Sequence, residues 1–103
     1  MDFDRFTAVL LRWPDGMPEF AEEELERLQA GHLSFLARMH EEGKALAAGP
    51  FFESPDERLR GMALFRTDVE QTRALLAEDP SVQAGRLAPE VTTWLVPTGL
   101  LPA

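Results

Sequence analysis

The chain contains no cysteine, which removes disulfides, thiolate nucleophiles and cysteine-ligated zinc together. Histidine is scarce, two in 103 residues, so a transition-metal centre would need carboxylates gathered from distant positions, and no metal or other cofactor is expected. Positive charge is also in deficit. Ten Lys and Arg face 18 Asp and Glu, for a formal net charge of -8, a balance that repels a phosphate backbone, so no nucleic-acid partner is expected. Long hydrophobic runs are missing as well. No segment approaches the ~20 apolar residues that cross a bilayer. The opening MDFDRFTAVLLRW (Met1 to Trp13) has acids where a secretory leader carries basic residues, and Arg12 breaks its apolar run. The expectation is a cytoplasmic protein with no membrane partner.

What is present fits one compact unit. A chain of 103 residues builds one core and is too short for two ordinary domains. No repeat, low-complexity tract or linker divides it, so residues 1–103 are taken as a single domain. Much of the acid lies in PEFAEEELE (Pro18 to Glu26). Neighbouring glutamates on a helix point around its axis instead of converging on an ion. The run reads as a solvated helix face whose first turn suits the helix dipole.

DRFTAVLLRW (Asp4 to Trp13) is rich in β-branched and aromatic residues and predicts a strand. PDG (Pro14 to Gly16) is a turn. From about Glu19 to Gly43 the spacing becomes helical, with Leu25, Leu28, His32, Phe35, Leu36 and Met39 on one stripe, and Gly43 supplies the stop. KALAAGPFF (Lys44 to Phe52) predicts a second strand, ESPDERLR (Glu53 to Arg60) a polar loop, and GMALFR (Gly61 to Arg66) a third strand. TDVE (Thr67 to Glu70) has the form of a capping box, with Thr67 as N-cap, opening a helix to about Glu78 that buries Val69 and Leu75 or Leu76. EVTTWLVP (Glu90 to Pro97) predicts the last strand.

The order β-α-β-β-α-β makes a four-stranded antiparallel sheet with both helices on one face. Yet the strands are apolar on both faces. Phe6, Ala8 and Leu10 point one way, and Val9, Leu11 and Trp13 the other. In the last strand Val91 and Leu95 oppose Trp94 and Val96. A solvated face should alternate apolar with polar residues, so the second face needs a cover. A second copy of the same sheet, forming a two-fold homodimer and burying ~800 Å² per subunit, is the expected one.

Two residues stand out chemically. His32 lies in the middle of an apolar helical stripe, where leucine would pack better. The ordinary reading is a half-buried ring bonded to a backbone carbonyl. Gly31 beside it tilts toward a site, because glycine inside a helix costs ~1 kcal/mol relative to alanine and marks a close approach. His40, at the stripe's edge among acids, reads as a surface residue. Asp79 precedes Pro80 in the pattern of an N-cap followed by proline at the first helical position. Satisfying backbone N–H groups is its ordinary role, but a carboxylate has a second oxygen to offer. Ser81 places a hydroxyl nearby. No phosphate-loop glycine spacing and no HExxH occurs.

At HLSFLARMHEEGKALAAGP (His32 to Pro50), followed by RGMALF and AEDPSVQAGRL, the chain resembles the YciI-like (YCII-related) family. His32-Leu33, Leu36, Gly43, Gly49-Pro50, Gly61, Asp79-Pro80 and Ala84-Gly85 come in the family's order from the first helix onward. The resemblance implies a ferredoxin-like fold of the dimeric α+β barrel superfamily. It also implies a cleft whose catalytic candidates are His32 and Asp79. Ser81, Gly49 and Pro50 are taken as candidate substrate-binding residues. One departure is that Gln29 stands where many relatives carry an arginine shortly before the histidine.

A His-Asp pair of this kind suits general acid–base chemistry. The carboxylate fixes the imidazole tautomer and leaves the other nitrogen basic. With Ser34 and Ser81 outside any nucleophile motif, proton abstraction or addition–elimination on a small organic molecule fits better than covalent catalysis. The alternative is a non-enzymatic dimeric ligand-binding or accessory module that uses the pair for recognition or packing. Fold alone fixes no reaction.

Overall fold

A computed structural model of the chain describes residues 1–102. Strand β1 (Phe3–Arg12) leads to helix α1 (Glu22–Glu41). Strands β2 (Ala45–Pro50) and β3 (Leu59–Phe65) follow, then helices α2 (Val69–Leu76) and α3 (Pro80–Gln83), and finally β4 (Ala88–Pro97). The sheet order is β2-β3-β1-β4, with every neighbouring pair antiparallel. This is the ferredoxin-like α+β arrangement expected from the element order, with α3 added as a single turn after α2.

Local chemistry sets the helix ends. Ala21 is still extended and offers no side-chain cap, so α1 starts at Glu22, three residues later than the periodicity predicts, where Glu22, Glu23 and Glu24 meet the positive end of the dipole. At its far end Gly43 has φ +74°. Its N–H donates to His40 O at 3.0 Å and that of Lys44 to Met39 O at 2.9 Å, the two bonds of a Schellman stop, which a residue without Cβ accommodates without strain. The cap of α2 corrects the sequence reading by one residue. Asp68, not Thr67, accepts from Gln71 N–H, and Gln71 reaches back to Asp68 N–H. Thr67 is otherwise engaged. Its carbonyl accepts from Thr7 Oγ1 at 2.6 Å and its hydroxyl pairs with Thr72 Oγ1 at 2.8 Å, tying α2 to β1 through two buried threonines.

Val9, Leu11, Ala63 and Phe65 of the sheet meet Phe35 and Met39 of α1 and Leu76 of α2 in the main core. Burying each of the larger of these side chains stabilises the fold by roughly 1.5–3 kcal/mol. Both long helices therefore lie on the Val9–Leu11 face. The opposite face carries a second buried cluster, Phe6, Leu64 and Val96, against which the chain's own Leu46 and Leu101 pack. Beside it Trp94 is half-exposed. The strands are thus apolar on both faces, as their residue pattern predicts. No helix among the described residues is long and apolar enough to cross a membrane.

Candidate active site

His32 sits where the stripe puts it, on the sheet-facing side of α1 and buried. Its neighbour explains the helix-interior glycine. A Cβ built on Gly31 would lie 2.9 Å from Cγ and 3.3 Å from Cβ of Pro80, closer than side-chain carbons pack. The missing methyl lets α1 approach the first turn of α3, and that approach brings Asp79 to His32.

Asp79 is completely buried and makes two different contacts with its two oxygens. Oδ1 accepts from Ser81 N–H at 2.9 Å, capping α3. Oδ2 lies 2.6 Å from His32 Nδ1. An ionised carboxylate only accepts hydrogen bonds, so Nδ1 carries the proton of this contact and the neutral ring keeps its lone pair on Nε2. Ser81 closes the arrangement. Its hydroxyl donates to Leu28 O in α1 at 3.1 Å, and its carbonyl accepts from the N–H groups of Arg86 and Leu87 at 2.9 and 3.0 Å. The α1–α3 contact is therefore held by packing at Gly31–Pro80 and by two side-chain hydrogen bonds, a support of the kind that holds a reactive ring in one orientation.

Nε2 faces open space. It makes no hydrogen bond among the described residues, and no buried side-chain nitrogen or oxygen there lacks a partner. His32 lines a cleft of about 800 Å³ between α1, the sheet and the α3–β4 turn, within the size range of roughly 300–1,000 Å³ that holds small organic ligands. The cleft explains an otherwise odd burial pattern. Leu25, Leu28 and Leu36 belong to the apolar stripe but remain only half-buried, because they wall the cleft, Leu36 while also packing against the main core. Ser81, Gly49 and Pro50 also line it. Gly61 sits at the same place, where a Cβ would meet Gly49 O at 2.5 Å, so the backbones of β2 and β3 close together beneath the space.

His40 goes elsewhere. Its Nδ1 lies 3.2 Å from Ala45 O, the backbone-bonded role that is the ordinary reading for a lone histidine.

Three cleft residues escaped the sequence reading as site residues: Trp13, Arg60 and Arg86. The sequence pattern puts Arg60 at the end of a polar loop, whereas β3 begins at Leu59 and places Arg60 within the strand. The guanidinium carbons of Arg60 and Arg86 lie 4.2 and 5.1 Å from the centre of the Trp13 ring, distances at which a cation is attracted to the aromatic face.

Comparison with known proteins adds a family and a fold relative. The family model described as the YCII-related domain matches residues 9–94. No curated protein matches the chain. Among solved structures, the chain is similar to the 5-chloro-2-hydroxyhydroquinone dehydrochlorinase TftG of Burkholderia phenoliruptrix AC1100, in its complex with 2,5-dihydroxybenzoquinone. The TM-score is 0.62 at 16% identity, over 86% of this chain and 92% of that one, a likeness of fold.

Proposed function

Since the chain belongs to the YCII-related domain family, we propose that it is a small enzyme in which His32 Nε2 takes or returns a proton on an organic molecule held in the cleft, with Asp79 orienting the ring. The single observation that carries this reading is the 2.6 Å contact between His32 Nδ1 and the fully buried Asp79, with Nε2 left facing the cleft. A purely structural histidine has no need of an accessible basic nitrogen. A positioned base of this type contributes typically about 10²–10⁴-fold to a proton transfer. The fold relative, a dehydrochlorinase, supports the choice of elimination or proton abstraction over group transfer, since loss of HCl removes a proton along with chloride.

The test is a panel of small carbon acids, among them hydroxylated quinones and enolisable ketones, followed by NMR for hydrogen–deuterium exchange. The wild-type chain should accelerate exchange of a compound that binds the cleft, and the folded His32→Gln variant should not. Equal exchange by the two proteins overturns the assignment. Binding of the same compound with no exchange in the wild type favours the recognition module instead.

The same reading includes a two-fold dimer formed through the second sheet face. It rests on the half-exposed Trp94, which stands on that face beside the buried cluster of Phe6, Leu64 and Val96. A face of that kind is stabilised by a matching copy. Light scattering at micromolar concentration should give twice the mass of the chain.

A further inference from the structure

We propose that the cleft is built for a small organic anion, held by the guanidinium pair of Arg60 and Arg86 on the Trp13 ring; this deepens the acid–base reading by naming its substrate class. The argument starts from charge and place. The chain carries a net -8, and Arg12, Arg38, Arg58 and Lys44 are paired with carboxylates. Arg5, Arg27, Arg60, Arg66, Arg73 and Arg86 form no ion pair among the described residues. Of these, Arg60 and Arg86 are the two that line the cleft His32 opens into.

What holds them is aromatic and leaves most of their hydrogen-bonding edge free. Each stacks against Trp13. Of the five N–H donors on each group, one on Arg60 is used by Glu57 O at 2.8 Å, and one on Arg86 points at Met17 Sδ at 3.7 Å. A guanidinium fixed on an aromatic ring has already lost much of its rotamer freedom, so less is lost when it grips a ligand. The planar fork matches a carboxylate or the paired oxygens of an enolate. Glu22 and Glu26 also line the cleft, but both are exposed, where water weakens their repulsion of an entering anion. The walls set by Leu25, Leu28 and Leu36 suit an apolar body. Arginine at these positions also supplies a positive charge that Gln29, on α1, does not.

The experiment compares benzoate with benzamide, two rings of nearly the same shape that differ in charge, by calorimetric titration and by the Trp13 indole NMR signal. Benzoate is expected to bind, and benzamide at least about tenfold more weakly, the worth of one charge-assisted hydrogen bond. Arg60→Gln and Arg86→Gln should each weaken benzoate about tenfold and leave benzamide unchanged, while Arg60→Lys, which keeps charge but loses the fork, should fall between. Added sodium chloride should weaken benzoate alone in the wild-type protein, a readout independent of how well any variant folds. No binding of benzoate, equal affinity for the two probes, or wild-type benzoate affinity in the folded double Gln variant overturns the proposal. The His32→Gln variant separates the two readings. Benzoate affinity retained there, with proton exchange absent even from the wild type, removes the acid–base reading alone. Exchange present in a wild-type protein that ignores charge removes the clamp alone.

Discussion

Gly31 and Pro80 are in contact so close that a single methyl group on the former would stand 2.9 Å from Cγ of the latter. The proline ring is fixed at the start of α3 and cannot swing aside as the end of a lysine would. The separation of α1 from α3, and with it the reach of Asp79 to His32, is therefore set by the absence of one carbon.

Gly31→Ala tests this. In an exposed helix the change stabilises by about 1 kcal/mol, but here overpacking costs about 1–3 kcal/mol, so net stability should change little or fall modestly. The larger effect is geometric. The His32–Asp79 contact should lengthen, which the ring nitrogen NMR signals of His32 will reveal, and any proton-transfer activity should drop far more than the denaturation midpoint. A variant with wild-type ring signals contradicts the coupling.

Asp79→Asn and Asp79→Ala should separate the two oxygens' duties. Asparagine retains a carbonyl to accept from Ser81 N–H, but its amide donates to Nδ1 and forces the ring proton onto Nε2. Activity should fall by roughly 10²–10⁴-fold, the worth of the base, with a small loss of stability. Alanine removes the cap as well, at about 0.5–2 kcal/mol, and leaves His32 without its partner. Chemical denaturation of both variants beside wild type provides the comparison.

Replacing His32 by leucine should be costly despite its apolar surroundings. Asp79 is fully buried, and without the ring one oxygen has no donor, an expense of about 1–3 kcal/mol or more for a charged group. His32→Gln keeps a donor in reach and should be milder. A leucine variant as stable as wild type would mean that water or another group already serves that oxygen.

Outside the cleft, Asp56 orders the turn that precedes β3. Its carboxylate accepts from Arg58 N–H at 3.0 Å and from Arg12 at 2.9 Å, and these bonds, the backbone one first, hold its pKa below the usual carboxylate range. A lowered pKa in the folded state means that the contribution to stability is present above the ordinary carboxylate pKa and is lost as pH falls through the folded value. Because Asp56 is open to solvent, the effect should be small and salt-sensitive. A carboxyl titration by NMR should show Asp56 ionising below the usual carboxylate range, and Asp56→Asn should flatten the acid limb of the stability curve.

Trp94→Glu places a charge on the second sheet face beside Phe6, which it opposes across the β1–β4 ladder. If that face joins two copies, the variant should sediment as a monomer with its fold intact, since Trp94 is already half-exposed.

Much of this architecture is legible in the sequence because it follows from short-range rules. The β-α-β-β-α-β order follows from the change of period at Glu19 and Gly43, and the stop at Gly43 is a local steric matter. His32 could be singled out because one polar ring interrupts an otherwise apolar stripe, and Asp79 because proline follows it. The cap of α2 was displaced by one residue because Thr67 and Asp68 are both good caps, and the choice between them was made by Thr7 and Thr72, at a distance in sequence no local rule sees. Arg60 was hidden for the opposite reason. A strand position that faces a ligand cleft can be polar, and a polar residue beside Glu57 and Arg58 reads as loop. Trp13 and Arg86 are 73 residues apart in the chain, and only the fold places them on one ring.

The double engagement of Asp79 constrains how the protein could drift. Its oxygens serve a helix end and an imidazole at once, so a descendant that abandoned the proposed reaction would still need the aspartate to keep α3 wound. The histidine would be released from chemistry but not from the carboxylate. It should give way to asparagine or glutamine sooner than to leucine, and such a lineage would carry the imprint of the lost reaction as a buried amide.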